Sequence, residues 1–317
     1  MAETLLRAVG LTKRYGGVTA VDRLSVEVPP GRTGLVGANG AGKTTFFRLL
    51  LGLTRPTAGS VEVAGVDASV DPAGARARLG YMPEHDCLPT DQSAAEVVAT
   101  LGEMSGLPRA AARQRTSEVL DLVGMDEARF RPIDGYSTGM RQRTKLAQAL
   151  VADPELLLLD EPTAGLDPIG RDAMLDLVAR LGGFGISVLM ATHLLDDVQQ
   201  VCDHVVMLDG GRLVVAGPTQ DLLERSGVVV VDVDDHGPRL AKALAARKLA
   251  AHVNETGVVE VAVGGDDDLD VVRDVIADLG LPLHKLSTRV GTLDDVFLHR
   301  ASGPASGPGP GPASGPG

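Results

Sequence analysis

Hydrophobic and polar positions alternate through residues 3–28, a period of two that predicts short antiparallel strands. An apolar stretch at 33–36 predicts a further strand, and the run at 44–51 predicts a helix. Residues 59–65 have the composition of a strand between two turns. The first part of the chain is therefore expected to combine antiparallel strands with a helix that follows a glycine-rich turn.

The pattern then changes to a helical one, and residues 92–150 are predicted to be mostly helical. The predicted helical segments lie near 93–105, 109–123 and 139–152. Two uninterrupted apolar runs follow at 156–159 and 186–190, and such runs are typical of parallel strands buried on both faces. Because a helix is predicted between them at about 170–181, this region is expected to form a βαβ unit.

From about residue 227, short strands and helices alternate again, without a motif that indicates chemistry. Strands are predicted at 228–233, 250–254, 258–263 and 282–286, and helices at 239–247 and 269–279. This order predicts a small βαββαβ module. Thr292 and Asp295 fit a capping box that opens a last short helix ending at Arg300.

The predicted organisation is a large α/β domain at 1–226, with a helical subdomain at about 86–150, followed by a small α+β domain at 227–300. Residues 301–317 contain only Gly, Pro, Ser and Ala, so they cannot bury a core and are predicted to be a disordered tail. A length of 317 residues, 44% of them apolar, is sufficient for both domains.

The net charge of −12 bears on possible partners. Proteins that bind nucleic acid usually carry a basic face, so no nucleic-acid partner is expected. No run reaches the roughly 18 consecutive apolar residues of a membrane span. Glu3 stands where a secretory signal carries positive charge, so secretion is not expected. Cys87 and Cys202 match no metal-binding spacing and are expected to be reduced thiols.

The glycine-rich turn between the predicted strand and helix has the composition of a phosphate-binding loop. Its residues are Gly37, Ala38, Asn39, Gly40, Ala41, Gly42, Lys43, Thr44 and Thr45. Glycines let successive backbone N–H groups approach phosphate oxygens, and the following helix directs its positive end at them. Lys43 is predicted to reach the outer phosphates, and the Thr44 hydroxyl to bind Mg²⁺. The alternative is a simple glycine-rich turn, which the strand before it and the helix after it disfavour.

The apolar run at 156–159 ends in two acids, Asp160 and Glu161. A buried strand next to the phosphate loop would bring Asp160 to Mg²⁺, directly or through its water shell. Glu161, one residue later, would polarise an attacking water as a general base. The alternative is that both acids only terminate a strand.

Residues 136–142, Tyr-Ser-Thr-Gly-Met-Arg-Gln, precede that strand at a predicted helix start. With this segment, roughly residues 3–225 resemble the ATP-binding-cassette (ABC) ATPases, whose motifs occur here in the family's order. The matching elements are Tyr15 (the aromatic residue that stacks on adenine), 37–45 (Walker A loop), 137–142 (signature motif), 157–161 (Walker B), 164–167 (D-loop) and Thr192-His193 (switch histidine). The resemblance implies an α/β P-loop core, with a mixed sheet, an antiparallel β subdomain and a helical subdomain.

The resemblance also implies that the chain binds ATP and Mg²⁺ and hydrolyses ATP. Glu161 and His193 would be catalytic, whereas Ser137, Gly139 and Asp167 would contact nucleotide. Taken singly, these residues have structural alternatives. Tyr15 alone would be a half-buried strand residue, and His193 a capping or core histidine. Ser137 would be a helix cap, and Asp167 a turn former.

Two features depart from the family pattern. Glu84 stands where the loop that joins the core to the helical subdomain usually has glutamine. Its carboxylate is expected to approach Mg²⁺ directly or through water, but it adds negative charge near the triphosphate. The signature segment has Thr138 where glycine is commonest, with Tyr136 and Met140 at its ends. Because the signature segment keeps Ser137 and Gly139, we expect hydrolysis to be retained. Whether Glu84 can couple hydrolysis to transport as glutamine does is left open.

A single cassette carries both halves of the site on separate parts of its surface. The resemblance therefore implies a head-to-tail homodimer in which Ser137 of one copy closes over ATP held by Lys43 of the other. It further implies the ATPase subunit of an exporter, similar to the drug- and antibiotic-resistance branch of ABC-2-type transporters. Its membrane-spanning permease would be a separate chain, which places the subunit at the cytoplasmic face of the membrane.

Two other functions stay open at this point. A soluble ABC ATPase acting on nucleic acid or the ribosome usually has two cassettes or a long coiled-coil insertion, and neither is found here. A nucleotide sensor that does not hydrolyse ATP is disfavoured by the presence of Glu161 and His193. The small domain is expected to stabilise a dimer or regulate it rather than bind a ligand.

Overall fold

A computed structural model describes residues 4–225, 227–254, 256–263, 266–289 and 292–293. The chain divides into two compact units between Thr219 and Gln220. The domain limits predicted from the sequence, with a change at 226, remain a prediction. The predicted helix to Arg300 and the predicted tail at 301–317 lie outside the described residues.

The described residues of the first unit form two sheets and seven α-helices that lie wholly within the unit. Its strands are β1 (Leu6–Tyr15), β2 (Val18–Val28), β3 (Arg32–Val36), β4 (Ala58–Val63), β5 (Val66–Asp67), β6 (Leu79–Met82), β7 (Leu156–Asp160), β8 (Ser187–Thr192), β9 (His204–Asp209) and β10 (Arg212–Pro218). Its helices are α1 (Lys43–Leu50), α2 (Pro72–Arg76), α3 (Ala94–Met104), α4 (Arg109–Leu122), α5 (Thr138–Leu150), α6 (Pro168–Gly183) and α7 (Leu195–Val201). A further helix, α8 (Thr219–Arg225), begins at the division between the units.

The larger sheet has the order β10-β9-β3-β8-β7-β6, and the smaller sheet has the order β2-β1-β4-β5. In the larger sheet β9, β3, β8, β7 and β6 are parallel, while β10 pairs antiparallel with β9. Every residue of β7 and β8 is buried, as the uninterrupted apolar runs predicted. The smaller sheet is antiparallel throughout, so the predicted mixed and antiparallel sheets are both confirmed.

Helix α1 lies in the hydrophobic core shared by the two sheets. Its Phe46 and Phe47 are 1% and 0% exposed and belong to one cluster with residues of both sheets. Phe47 also meets the ring of Tyr81 edge-on, with centroids 6.2 Å apart. Because these aromatic side chains anchor α1, the glycine-rich loop at its N-terminus has a fixed position.

Helices α3, α4 and α5 pack together as the helical part of the first unit. Helix α3 begins with a capping box, in which Ser93 accepts from the Glu96 N–H and the Glu96 carboxylate accepts from the Ser93 N–H. Helix α5 also packs against β6 and β7, so the helical part is joined directly to the larger sheet. Over the described part of the chain, no helix is both long and apolar enough to cross a membrane.

The described residues of the second unit form the predicted β-α-β-β-α-β order. The elements are β11 (Gly227–Asp232), α9 (Gly237–Ala246), β12 (Ala251–Val253), β13 (Val259–Val263), α10 (Asp266–Leu279) and β14 (Lys285–Arg289). The sheet order is β12-β13-β11-β14, and its core is largely valine and leucine. The last strand was predicted at 282–286 but begins at Lys285; Pro282 has no N–H to donate to a strand ladder.

Candidate functional site

The loop between β3 and α1 follows a path that depends on glycine at two positions. A Cβ on Gly42 would lie 2.5 Å from the Ala20 carbonyl oxygen, and Gly42 has a φ of 102°. A Cβ on Gly37 would lie 2.5 Å from the carbonyl oxygen of Leu208. The first N–H groups of α1 have no partners within the helix, which makes its start suitable for an anion.

This loop forms one side of a cavity of about 270 Å³. Its lining residues are Ala20, Ala38, Asn39, Gly40, Ala41, Gly42, Lys43, Thr44, Thr45, Glu84, Asp160 and Glu161. The fold thus brings together a continuous loop and three acids from distant parts of the sequence. A backbone cradle, an amine and hard oxygen donors in one cavity suit a phosphate with a divalent cation.

Lys43 is buried at the base of this cavity. Its Nζ donates to the Gly37 carbonyl oxygen and lies 3.7 Å from Oε1 of Glu161. The Lys43 and Glu161 side chains are only 7% and 9% exposed, so water screens this ion pair little. The buried amine provides the positive charge that the outer phosphates of a nucleotide require.

Asp160 ends β7, 2% exposed, and its Oδ2 accepts a hydrogen bond of 3.4 Å from the Tyr81 hydroxyl. Burial, with the nearby carboxylates of Glu84 and Glu161, raises the pKa of Asp160 to about 6. Burial and the charge of Asp160 likewise raise the pKa of Tyr81 to about 12. These directions indicate a surplus of negative charge, which a cation would relieve.

Glu161 has a left-handed backbone conformation, with a φ of 49°. Such a conformation costs roughly 1–3 kcal/mol in a residue other than glycine and is typical of functional positions. Its N–H donates to the Ala191 carbonyl oxygen at 2.8 Å, which holds the turn against β8. Nδ1 of His193 lies 3.0 Å from both Glu161 carboxylate oxygens, and the Thr192 hydroxyl donates to one of them. The carboxylate therefore has a defined orientation.

Three side chains could hold Mg²⁺ in this cavity, namely Thr44, Asp160 and Glu84. A hydroxyl and two carboxylates are the oxygen donors that Mg²⁺ prefers. Burial and the neighbouring carboxylates of Glu84 and Glu161, which raise the pKa of Asp160, favour a cation at the same place. The residues present therefore fit Mg²⁺.

A second cavity, of about 480 Å³, contains the other predicted nucleotide contacts. Ser137 and Gly139, at the start of α5, share it with Asp167, at the start of α6. Ser137 caps α5 by accepting from the Met140 N–H, and Asp167 caps α6 by accepting from the Gly170 N–H at 2.8 Å. The helix-cap alternative for Ser137 is therefore real, and Asp167, for which a turn was the alternative, is also a helix cap. Both caps coexist with a place in the lining of this cavity.

Tyr15 lies at the end of β1, 44% exposed, with Nζ of Lys13 4.9 Å above its ring centroid. Among the described residues, the lining of the phosphate-loop cavity does not include Tyr15. An exposed aromatic face is available for stacking, but the structure leaves its contact with adenine a prediction.

Comparisons with known proteins identify the family. The ABC transporter family matches residues 21–164. The daunorubicin resistance ATP-binding protein DrrA3 of Streptomyces coeruleorubidus is 34% identical over 304 residues, which cover 94% of this chain and 96% of that protein. The chain belongs to the ABC transporter family. The Nod factor export ATP-binding protein I of Ralstonia nicotianae is 35% identical over 299 residues, covering 93% and 92% of the two chains.

A solved ABC structure has the same fold. The protein cbiO1 from Clostridium perfringens, part of the ABC transporter complex cbiONQ, superposes with a TM-score of 0.65 at 27% identity. The match covers 69% of this chain and 90% of cbiO1. The predicted ABC ATPase fold is thus confirmed, and as an ABC ATPase the chain binds and hydrolyses ATP.

Sequence reasoning missed several residues of the ABC site. Ala20 lines the phosphate-loop cavity, and Tyr81 bonds to Asp160. Lys145 donates to the Glu84 carbonyl oxygen at 2.8 Å. Thr192 was identified with His193, but its bond to Glu161 was not predicted. All these contacts depend on which strands and helices become neighbours.

Proposed function

We propose that this chain is the ATPase subunit of an ABC exporter in which two copies of the chain close over ATP and thereby drive a separate membrane-spanning permease. Each copy would contribute its phosphate-loop cavity to one nucleotide. To the other nucleotide it would contribute the signature surface, formed by Ser137, Gly139 and Asp167. Loss of the γ-phosphate would remove the contact that favours the closed dimer over the open one.

One observation carries the dimer proposal. Within residues 4–225 the lining of the phosphate-loop cavity and the lining of the cavity with Ser137, Gly139 and Asp167 share no residue. The two sets of predicted contacts therefore belong to separate cavities of one copy, which supports a site that is completed by a second copy. A second copy placed head to tail would bring its signature surface to the open side of the loop.

Within each site, the side chains have distinct roles. Lys43 binds the outer phosphates, and the buried Glu161 carboxylate accepts the proton of the attacking water. His193, 3.0 Å from both oxygens of that carboxylate, holds its orientation and lies where it would sense the phosphate. Mg²⁺, held by Thr44, Asp160 and Glu84, would neutralise negative charge on the phosphates.

The named relatives support a cargo class. They are called daunorubicin resistance and Nod factor export ATP-binding proteins, and they match nearly the full length of this chain. We therefore propose export of a drug, an antibiotic or another hydrophobic compound. The chain would bind its permease from the cytoplasmic face of the membrane, and no nucleic-acid partner is proposed.

The proposal is tested in cells that express the chain with its candidate permease. Glu161→Gln is expected to keep ATP binding and to lower turnover about 100-fold or more, because the amide cannot accept the proton. Membrane-associated ATPase activity and efflux of a hydrophobic fluorescent compound are both measured, and both should be lost.

Glu155→Gln is the matched control, since Glu155 is an exposed acid just before the same strand and is paired with Arg78. It should leave turnover and efflux unchanged. Undiminished turnover in Glu161→Gln would contradict its role as the base, and an ATPase that never associates with membranes would contradict the exporter.

A further inference from the structure

Lys145 is a buried charge that the proposed ATPase cycle does not use. It lies in the middle of α5 and is only 3% exposed. Its Nζ donates to the backbone carbonyl oxygens of Glu84 and His85, at 2.8 and 3.4 Å. Burial of a lysine amine is costly, so its presence here requires a compensating interaction.

The groups that face this amine are mostly acidic. Burial lowers the pKa of Lys145, while the nearby Cys87, Asp86, Glu84 and Asp160 act in the opposite direction. Glu84 and Asp160 are also two of the acids that line the phosphate-loop cavity. Through its hydrogen bond to the Glu84 carbonyl oxygen, Lys145 is joined to a segment that lines the cavity.

The cavity itself has more negative than positive side chains. Among the described lining residues, Lys43 is the one amine, against the carboxylates of Glu84, Asp160 and Glu161. A triphosphate adds further negative charge at this place. Glu84, which stands where the family usually has a neutral glutamine, makes the surplus larger.

Helix α5 joins this charge to the signature surface. Ser137 caps the helix, and Lys145 lies eight positions later on the same uninterrupted helix, about 12 Å along its axis. A movement of the signature end of α5 would therefore carry the amine, and with it the backbone of Glu84.

We propose that Lys145 is a positioning residue that holds the backbone of Glu84 and His85 and thereby keeps the Glu84 carboxylate at the phosphate-loop cavity. This inference rests on the proposed ATP site and adds a residue pair, Glu84 and Lys145, that acts as a unit.

A double-mutant cycle on the full-length chain tests the pair. The dissociation constant for the non-hydrolysable nucleotide AMP-PNP with Mg²⁺ is measured by isothermal titration calorimetry for Lys145→Met, Glu84→Gln and the double variant. Lys145→Met should weaken binding roughly fivefold or more where Glu84 is present. With Glu84→Gln, the same substitution should change the constant less than about twofold, because no carboxylate at that position remains to be positioned.

A second variant separates charge from hydrogen bonding. Lys145→Gln keeps a donor for the two carbonyls but removes the charge, so it should bind the nucleotide more tightly than Lys145→Met does. If thermal melting shows that the methionine variant is unfolded, Lys145→Ala takes its place in both Glu84 backgrounds. Lys242→Met, at an exposed position of α9, is the control for a lysine-to-methionine change and should bind normally.

Two results would overturn the inference. The first is an equal loss of affinity from the Lys145 substitutions in both Glu84 backgrounds, which would indicate a purely structural role. The second is a loss of affinity in Lys145→Gln as large as in Lys145→Met, which would show that the hydrogen bonds to the two carbonyls do not position Glu84. Failure of the unmodified chain to bind the nucleotide with Mg²⁺ would instead contradict the proposed ATP site.

Discussion

Two buried side chains of opposite charge, Lys43 and Glu161, stand 3.7 Å apart at the centre of the site. Each also has a fixed backbone setting: Lys43 is the first residue of α1, and Glu161 occupies a left-handed turn after β7. A phosphate entering the cavity would compete with Glu161 for the Lys43 amine and leave the carboxylate free for its proposed role as a base. The pair therefore describes a site that is ready for nucleotide.

Removal of the amine tests this arrangement. Lys43→Ala is expected to weaken ATP binding about tenfold or more, because a charge-assisted contact to the phosphates is lost. The dissociation constant of ATP with Mg²⁺, measured by calorimetry, checks it. Lys242→Ala, an exposed lysine of the second unit, is the control. Unchanged affinity in Lys43→Ala would remove this residue from the phosphate cradle.

The residues that the sequence predicted share one property: each lies in a short, continuous motif. The glycine-rich loop and the Asp160-Glu161 pair are readable because strand and helix signals flank them. Tyr81 and Lys145 are not readable in this way. Tyr81 reaches Asp160 because β6 pairs with β7, and Lys145 reaches Glu84 because α5 packs on β6. Tertiary packing decides which distant elements become neighbours, and the local sequence pattern does not specify it.

At the scale of elements, helix starts organise the proposed dimer surface. Ser137 caps α5 and Asp167 caps α6, and the two ends face one cavity. The Gln142 side chain of α5 also donates to the Ala164 carbonyl oxygen at 3.0 Å, which joins the signature helix to the D-loop. The surface is therefore built from two helix ends that are held together.

Ser137→Ala separates the capping role from the proposed nucleotide contact. Loss of the cap is expected to cost about 1 kcal/mol and lower the melting temperature by roughly 2–4 °C. Ser93→Ala is the matched control. Ser93 also caps a helix, α3, by accepting from the backbone N–H three residues later, and it lines neither cavity that is proposed to contact nucleotide. Both variants should lose similar stability, measured by calorimetry.

Only Ser137→Ala should also lose ATPase activity in the assembled transporter. Equal activity in the two variants would show that Ser137 acts as a helix cap alone.

Element boundaries show where sequence patterns were insufficient. The long helices were predicted because their periodicity extends over many residues. The fully buried strands β7 and β8 were predicted from nearly continuous apolar runs. Strand β6 has four residues and no clear alternation, so it was not predicted. The strand β14 was predicted three residues too early, since apolar residues next to Pro282 resembled a strand.

At the scale of the whole molecule, the phosphate-loop cavity and the signature surface belong to the same unit but to separate cavities. A site that is completed by a second copy makes affinity between the copies depend on the triphosphate. The bound nucleotide should therefore control association of the two copies.

The most direct test is the oligomeric state of the full-length Glu161→Gln variant, with and without ATP and Mg²⁺, by analytical ultracentrifugation. A nucleotide site shared by two copies predicts a species of twice the chain mass with ATP. It predicts single chains with ADP or after the additional substitution Ser137→Ala. A chain that stays monomeric with ATP, both alone and together with its permease, would rule out a site shared by two copies.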